Sequence, residues 1–272
     1  MTDPLVAGGL AYREVLPPGE PLGTVVCLHG WPESSFMFGA VLDAAAAAGW
    51  RALAPDLPGY GGSEPDAPAT WPRMVDAVER FHAALDLGPV ALVVHDWGGL
   101  IGLRWACDHP ASVRALVISD TGFFSDGKWH GLADVLRTPG EGEKLADWMT
   151  SDALAGALRA VSCGLTDAAL AEYGRAFSTP ERRAGQLELY RSGQFEELIP
   201  YEGRLSALGV PTLLLWGADD PFAPVAGAHR FAAEIPHAEL EVIDGAGHFV
   251  YDDDPQRTSA SVARFLGTLP AE

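Results

Sequence analysis

Short apolar runs alternate with helix-like segments along most of this chain, and this alternation limits the possible folds more than any other feature. The runs are continuously hydrophobic, as parallel strands covered on both faces must be. They occupy residues 24–28, 51–55, 90–94, 113–119, 210–216 and 240–243. The segments between them predict helices at 34–48, 71–87, 97–108, 226–234 and 256–266. The pattern predicts an α/β fold with a doubly wound, mostly parallel sheet.

The alternation stops between residues 122 and 205, where the sequence is polar, helical and without a strand-like run. We interpret this stretch as a helical cap inserted into a core formed by residues 1–121 and 206–272. In an open parallel sheet, ligands bind at the carboxyl ends of the strands. The residues that follow each strand are therefore the first candidates for a functional site.

The charge balance excludes several kinds of partner. The 272 residues carry 37 acidic and 18 basic side chains, for a formal net charge of −19, which argues against nucleic acid and anionic membranes. No signal peptide or membrane-spanning run is readable. Cys27, Cys107 and Cys163 are odd in number and are interpreted as reduced, buried thiols. We therefore predict a cytoplasmic protein.

The strand at 90–94 leads into VHDWGG, a sharp turn before a helix. Small residues after such a turn let strand and helix pack closely, which exposes the middle side chain as in a nucleophile elbow. That side chain is Asp96 rather than a serine. A carboxylate is a poor acyl nucleophile but displaces leaving groups from saturated carbon, giving an alkyl–enzyme ester. The alternative is that Asp96 only caps the helix.

Three other strand ends carry unusual residues. The first is HGWP at 29–32, where a backbone N–H could join that of Trp97 in an oxyanion hole. The others are WGADDP at 216–221 and GAGHF at 245–249. A lone histidine is usually structural, but here a nucleophile, an acid and a histidine follow in order, each at a strand end. This order predicts a catalytic triad.

These motifs resemble the α/β-hydrolase family, in the branch with an aspartate nucleophile: haloalkane dehalogenases, haloacetate dehalogenases and epoxide hydrolases. The resemblance covers about residues 10–121 and 206–268, and matches the cap only loosely. It implies an α/β-hydrolase fold, with Asp96 as nucleophile and His248 as the base that activates water. It also implies that Asp220 orients His248, and that the N–H groups of Trp31 and Trp97 form the oxyanion hole.

The acid of the triad has a rival. Asp120 closes the strand at 113–119, and some dehalogenases place the acid there. Asp219 adjoins Asp220, but the Asp-Pro turn favours Asp220. No cofactor is expected, and no metal, because the histidines lack partners at zinc-ligand spacing.

Several features resemble haloalkane dehalogenases. Val94 stands where epoxide hydrolases usually carry glycine. The resemblance implies that the Trp97 indole points toward a halide. Trp148, in the predicted cap, is our candidate for a second halide donor, and Trp129 is a weaker one. The alternative for Trp148 is an interior aromatic of the cap.

Other features resemble epoxide hydrolases, which protonate the leaving alkoxide with two cap tyrosines. HGWPES at 29–34 is similar to their oxyanion turn, and Tyr190 occupies the place of their second tyrosine. No tyrosine lies between residues 122 and 170, so the first is missing, and only His130 offers itself as a replacement.

The missing tyrosine favours a dehalogenase acting on a small apolar halogenated substrate, with epoxide hydrolase as the alternative. An esterase-like enzyme or a non-catalytic binding protein on the same fold is a further alternative. The sequence leaves open whether the chain is a monomer or a homodimer.

Overall fold

A computed structural model describes residues 5–149 and 151–271 of the chain. The eight strands are β1 (Leu5–Ala7), β2 (Leu10–Val15), β3 (Thr24–Leu28), β4 (Arg51–Pro55), β5 (Val90–His95), β6 (Val113–Ser119), β7 (Thr212–Gly217) and β8 (Glu239–Ile243). The helices are α1 (Gly39–Ala47), α2 (Trp71–Ala84), α3 (Trp97–Asp108), α4 (Gly131–Arg137), α5 (Glu141–Trp148), α6 (Ser151–Arg159), α7 (Asp167–Tyr173), α8 (Pro180–Ser192), α9 (Arg204–Leu208), α10 (Ala226–Glu234), α11 (Val250–Asp253) and α12 (Pro255–Leu266). Short 3₁₀ helices span Ser35–Phe38, Pro110–Ser112, Gly174–Phe177 and Phe195–Tyr201.

All eight strands form one sheet in the order β1-β2-β4-β3-β5-β6-β7-β8. The six strands from β3 to β8 run parallel, while β1 and β2 add an antiparallel edge. Every residue of β5 and β7 is buried, which explains why their sequences are apolar without alternation. The predicted α/β-hydrolase fold with a mostly parallel sheet is confirmed.

The predicted elements differ from the observed ones mainly at their ends. The segment predicted as one helix at 34–48 begins as the 3₁₀ turn Ser35–Phe38 and becomes α-helical only at Gly39. Helix α2 ends at Ala84 rather than at residue 87. The prediction also lacked β1 and β2, whose exposed or half-buried residues break the continuous apolar pattern.

An inserted helical cap lies between β6 and β7, where the described residues form helices and no strand. Helix α8 fastens this cap to the loops that follow β4. The guanidinium of Arg182 donates hydrogen bonds of 2.8 Å to the carbonyl oxygens of Gly59 and Ser63. The backbone N–H of Trp71 donates to Ser192 Oγ at 2.8 Å. The cap is therefore held over the carboxyl ends of the parallel strands.

The cysteine prediction was wrong in one position. Cys27 and Cys107 are buried free thiols, and burial raises the pKa of each, but Cys163 is exposed. Cys163 lies in a turn, where its own backbone N–H donates a hydrogen bond of 2.9 Å to Asp253 Oδ1. The neighbours of Cys163 are therefore polar. Among the described residues, none of the helices has both the length and the apolar character that crossing a membrane requires.

Candidate active site

Asp96 lies at the turn between β5 and α3 in a strained conformation, with φ 48° and ψ −121°. Such a backbone conformation costs a residue with a side chain about 1–3 kcal/mol. The turn is tight because Gly98 packs directly on β3: a Cβ there would lie 2.2 Å from the Leu28 carbonyl oxygen. The Asp96 side chain makes no capping hydrogen bond to α3, so it does not act as a helix cap. Its carboxylate is 19% exposed and faces the cap.

The sheet brings Asp96, Asp220 and His248 together at one edge. The Nδ1 of His248 lies 2.8 Å from Asp220 Oδ2, and its Nε2 lies 3.5 Å from Asp96 Oδ2. The other Asp220 oxygen accepts hydrogen bonds from the backbone N–H groups of Phe222, at 2.7 Å, and Ala223, at 2.9 Å. These bonds fix the Asp220 carboxylate, which in turn holds the Nδ1 of His248. The Nε2 on the other side of the ring therefore points at Asp96.

The turn after β3 supplies a donor to the Asp96 carboxylate. The backbone N–H of Trp31 donates to Asp96 Oδ1 at 2.7 Å. The second predicted oxyanion donor, the N–H of Trp97, makes no hydrogen bond to Asp96 within the described ranges. It lies on the residue that follows Asp96, at the start of α3, where free N–H groups favour negative charge.

The three groups alter one another's ionisation. Burial opposes the charge of Asp96, but the hydrogen bond and charge of His248 outweigh it and lower the pKa of Asp96 to about 2. Burial likewise opposes charge on His248, yet Asp220 and then Asp96 raise its pKa well above the usual value. The pKa of Asp220 is lowered because the charge and hydrogen bond of His248 outweigh burial. The resting site therefore holds two carboxylates around an imidazolium.

Behind this group lies a buried set of polar side chains: Glu33, His95 and Asp120. His95 Nε2 is 3.3 Å from Glu33 Oε2, and His95 Nδ1 is 3.9 Å from Asp120 Oδ2. Burial, and next the charge of His248, lower the pKa of His95 to about 3, so this ring is neutral. Burial raises the pKa of Glu33 well above its usual value. His95 therefore lies behind Asp96 as a buried, neutral ring.

Asp120, the alternative acid, accepts a hydrogen bond at 2.9 Å from the backbone N–H of Gly217. Burial and the neighbouring charge of Asp220 raise the pKa of Asp120 well above its usual value. Asp120 is therefore harder to ionise than an ordinary aspartate. The structure places Asp220, not Asp120, in hydrogen-bond contact with His248.

Two cavities meet at Asp96. The first, which we name the open cavity, has a volume of about 300 Å³ and includes Trp97, Thr121, Trp129 and Arg230 in its lining. The second, the cap cavity, has a volume of about 200 Å³ and is almost entirely apolar. Its lining includes Trp31, Leu132, Leu145, Trp148, Met149, Leu154, Leu158 and Phe249. Both cavities share Asp96, His130, Tyr190, Phe222 and His248.

Aromatic rings surround the Asp96 side of the open cavity. The Trp97 ring is buried and stacks on Trp129, with centroids 5.4 Å apart. Tyr190, also buried, packs edge-on against Trp97 at 5.3 Å and against Trp31 at 5.6 Å. Trp148 instead lines the cap cavity and is 53% exposed. The structure thus places Trp129, our weaker candidate, rather than Trp148 beside Trp97.

Sequence reasoning passed over two residues of this site. Glu33 is fully buried, and the signal was an acidic residue inside the oxyanion turn HGWPES. Phe222 follows the Asp-Pro turn, and its ring contacts both His130, at 5.1 Å, and His248, at 5.2 Å. No sequence pattern marks Phe222, because its position depends on how the cap packs over the core.

The parallel sheet, the tight turn after β5 and the inserted cap together define a hydrolase of the α/β class. The chain belongs to the α/β hydrolase fold family, whose model matches residues 23–255. Within that family it falls in the branch of haloalkane dehalogenases and epoxide hydrolases.

Known relatives have similar length and architecture. A haloalkane dehalogenase of Mesorhizobium japonicum is 28% identical over 285 residues, covering 97% of this chain and 89% of that protein. A cis-3-alkyl-4-alkyloxetan-2-one decarboxylase of Xanthomonas campestris is 28% identical over 268 residues, covering 90% of this chain and 89% of that protein. The crystal structure of haloalkane dehalogenase DbeA from Bradyrhizobium elkani superposes with a TM-score of 0.82 at 26% identity, covering 97% and 96% of the two chains. Similar chains thus carry out different reactions, and the site has to decide the function.

Proposed function

We propose that this chain is a haloalkane dehalogenase, which hydrolyses the carbon–halogen bond of a small apolar substrate to an alcohol and a halide. The observation that carries this choice is the set of indole rings beside Asp96. Trp97 and Trp129 stack in the open cavity, and the buried Nε1 of Trp31 has no partner among the described residues. An indole N–H donates a hydrogen bond but is not an acid. It therefore suits a halide, which leaves without needing a proton.

In the first step, an ionised Asp96 attacks the carbon that bears the halogen. The low pKa of Asp96 keeps it ionised at all physiological pH values. A bond forms between a carboxylate oxygen and carbon, and the halogen departs with the electron pair of the broken bond. The product of this step is an alkyl ester on Asp96.

In the second step, His248 removes a proton from a water that attacks the ester carbonyl. Ester formation removes the negative charge of Asp96, which is one of the causes of the raised pKa of His248. With that charge gone, the imidazolium releases its Nε2 proton to solvent and becomes a free base. The neutral ring then takes a proton from the attacking water and passes it to the alcohol oxygen as the acyl–oxygen bond of the ester breaks, which restores the Asp96 carboxylate. Asp220 holds the ring through Nδ1, and the Trp31 N–H stabilises the oxyanion, a contact worth about 3 kcal/mol by analogy.

Epoxide hydrolysis is the second candidate, and one observation favours it. Tyr190 lines both cavities next to Asp96, where its hydroxyl could protonate an alkoxide. Tyr173, another tyrosine of the cap, lines neither cavity, and its hydroxyl donates to Asp252 at 2.8 Å. Burial raises the pKa of Tyr190 well above its usual value, which makes it a weaker acid. An epoxide-opening enzyme needs an acid to protonate the leaving alkoxide, and Tyr190 is a weak one. A halide leaves without a proton, so the site suits halide release better.

The division of the chain is part of this proposal. Residues 1–121 and 206–272 form the catalytic core, and 122–205 form the cap that shapes the substrate site. The cap cavity holds about six water-sized groups, which suits an unbranched alkyl chain of similar size. Location in the cytoplasm stays a prediction, and the choice between monomer and homodimer stays open.

The test compares two substrates with the same carbon skeleton, a primary bromoalkane and the terminal epoxide. Bromide release and diol formation are measured with the wild-type chain and with Asp96→Ala as the inactive control. We expect bromide release that the control abolishes. Diol without bromide would establish the epoxide reading. No product from a panel of either class would return the chain to the non-catalytic alternative.

A further inference from the structure

The loop that carries His248 (residues 245–249, the histidine loop) is held by Asp253, the last residue of α11. Asp253 Oδ2 accepts a hydrogen bond of 2.8 Å from the backbone N–H of Gly247, the residue that precedes His248. Asp220 holds the imidazole ring through Nδ1, at 2.8 Å, whereas Asp253 holds the backbone from which that ring extends. The position of the Nε2 of His248 therefore depends on both carboxylates.

The other oxygen of Asp253 binds the cap. Oδ1 accepts hydrogen bonds from Ser162 Oγ at 2.5 Å and from the backbone N–H groups of Cys163 and Gly164, each at 2.9 Å. These three donor residues, which we name the cap turn, lie between α6 and α7. The turn approaches α11 closely, because a Cβ on Gly164 would lie only 1.9 Å from the Asp252 carbonyl oxygen. One carboxylate thus joins the cap turn to the histidine loop.

The two segments that Asp253 joins also form part of the cap cavity. Val161, directly before the cap turn, and Phe249, directly after His248, both line that cavity. The backbone of the cap also lies against the histidine loop, since a Cβ on Gly247 would be 3.3 Å from the Val161 carbonyl oxygen. Asp253 therefore holds the base in register with one wall of the substrate space.

We propose that Asp253 is a positioning residue for the base, which keeps His248 where its Nε2 can activate the water that hydrolyses the ester. This inference rests on the proposed two-step function, and it holds whether the leaving group is a halide or an alkoxide. Asp253 lines neither cavity and takes no part in proton transfer. Attack by Asp96 on carbon needs no base, so only the hydrolysis of the ester should depend on Asp253.

Replacing Asp253 with asparagine separates the two sets of hydrogen bonds. Oδ1 meets two backbone N–H groups, which can only donate, so the amide oxygen of the asparagine has to stay on that side. The NH₂ group then faces the N–H of Gly247, and the hydrogen bond to the histidine loop is lost. Ser162→Ala has the opposite effect, because it removes one donor of the cap turn and leaves the bond to Gly247 in place.

The matched control is Asp254→Asn, which removes the same charge one residue further along the chain. Asp254 caps α12 by accepting a hydrogen bond of 3.0 Å from the backbone N–H of Arg257, and asparagine is an equally good helix cap. This control separates the loss of a negative charge near His248 from the loss of the hydrogen bond to the histidine loop.

The readout is a pair of rate constants from rapid-quench experiments with mass detection: formation of the Asp96 ester and its hydrolysis. In Asp253→Asn we expect hydrolysis to slow by about 10- to 100-fold, the usual range for a lost hydrogen bond to a charged group. Ester formation should stay within about threefold of wild type. Ser162→Ala and Asp254→Asn should keep both rates within about threefold. If Asp253→Asn slowed both steps alike, or neither, its role would be structural only and the inference would be overturned.

Gly247→Ala decides the question if Asp253→Asn does not fold. Its new Cβ would lie 3.3 Å from the Val161 carbonyl oxygen and 3.5 Å from Asp253 Oδ2, so the histidine loop has to shift although Asp253 is retained. We expect hydrolysis to slow several-fold more than ester formation, and equal effects on the two steps would overturn the inference. A wild-type chain that forms no ester from any haloalkane or epoxide would instead refute the proposed function. The two failures differ in whether the wild type is active.

Discussion

Replacing Asp220 with asparagine should separate the two chemical steps of the reaction. One Asp220 oxygen accepts from the N–H groups of Phe222, at 2.7 Å, and Ala223, at 2.9 Å, and the other lies 2.8 Å from His248 Nδ1. In Asp220→Asn the two backbone donors retain the amide oxygen, so the NH₂ group must face His248. The Nδ1 of His248 then accepts, and its proton moves to Nε2, where a base is required.

The size of the effect follows from this tautomer change. In serine proteases the equivalent substitution lowers kcat about 10⁴-fold, which corresponds to about 5.5 kcal/mol. Here the loss should fall on ester hydrolysis alone, because attack by Asp96 needs no base. We therefore expect ester formation within about tenfold of wild type and hydrolysis slower by about 10³ to 10⁴. A rapid-quench experiment with mass detection measures both rates.

The matched control is Asp120→Asn. Burial and the charge of Asp220 raise the pKa of Asp120, which disfavours its charged form, and Asp120 accepts from Gly217 N–H at 2.9 Å, a bond that asparagine can keep. We expect its turnover within about threefold of wild type. If Asp120→Asn lost as much activity as Asp220→Asn, or if Asp220→Asn turned over within tenfold of wild type, the assignment of the acid would be refuted.

Two further predictions concern the oxyanion turn and a buried acid. In Gly30→Ala the new Cβ would lie 2.4 Å from Asp96 Cβ, so Asp96 must move. We expect kcat/KM to fall about 10²-fold while the circular dichroism spectrum stays native. A fall of less than threefold would contradict this prediction. Burial raises the pKa of Asp252 to about 7, so between about pH 4 and 7 the folded state holds a proton that the unfolded state has lost. The free energy of unfolding therefore falls as pH rises through this range, by at most about 4 kcal/mol. In Asp252→Asn, which keeps an acceptor for Tyr173, this fall should disappear from urea titrations at pH 5 and 8; an equal fall in both proteins would show that Asp252 is not its source.

The core of the fold could be predicted because its strands are buried on both faces. Continuous apolar runs gave the bounds of β3 (Thr24–Leu28) and β6 (Val113–Ser119) as observed. The antiparallel strand β2 (Leu10–Val15) was not predicted, because its partly exposed sequence LAYREV lacks such a run. The sheet also determines which strand ends lie together. Because Asp96 and His248 each follow a parallel strand, the sequence could predict that the two residues lie close to each other.

The cap was less predictable because its packing depends on distant contacts. The stacking of Trp129 on Trp97 joins residues from the cap and from α3, and local sequence does not determine it. Trp148 closes α5 at the surface, although a tryptophan in a cap suggests an interior position. Cys163 is exposed because a turn held by Asp253 places it next to polar groups.

The central claim is that Asp96 carries the substrate as an ester. Intact mass spectrometry of His248→Gln, mixed separately with haloalkanes and epoxides, tests it most directly, because without its base the enzyme should accumulate that ester. We predict an adduct equal to the mass of the haloalkane minus hydrogen halide, localised to Asp96 by peptide mapping. An adduct only from epoxides, equal to the whole substrate, would contradict the dehalogenase function. No adduct from either panel, in a variant shown to be folded, would contradict the nucleophile itself.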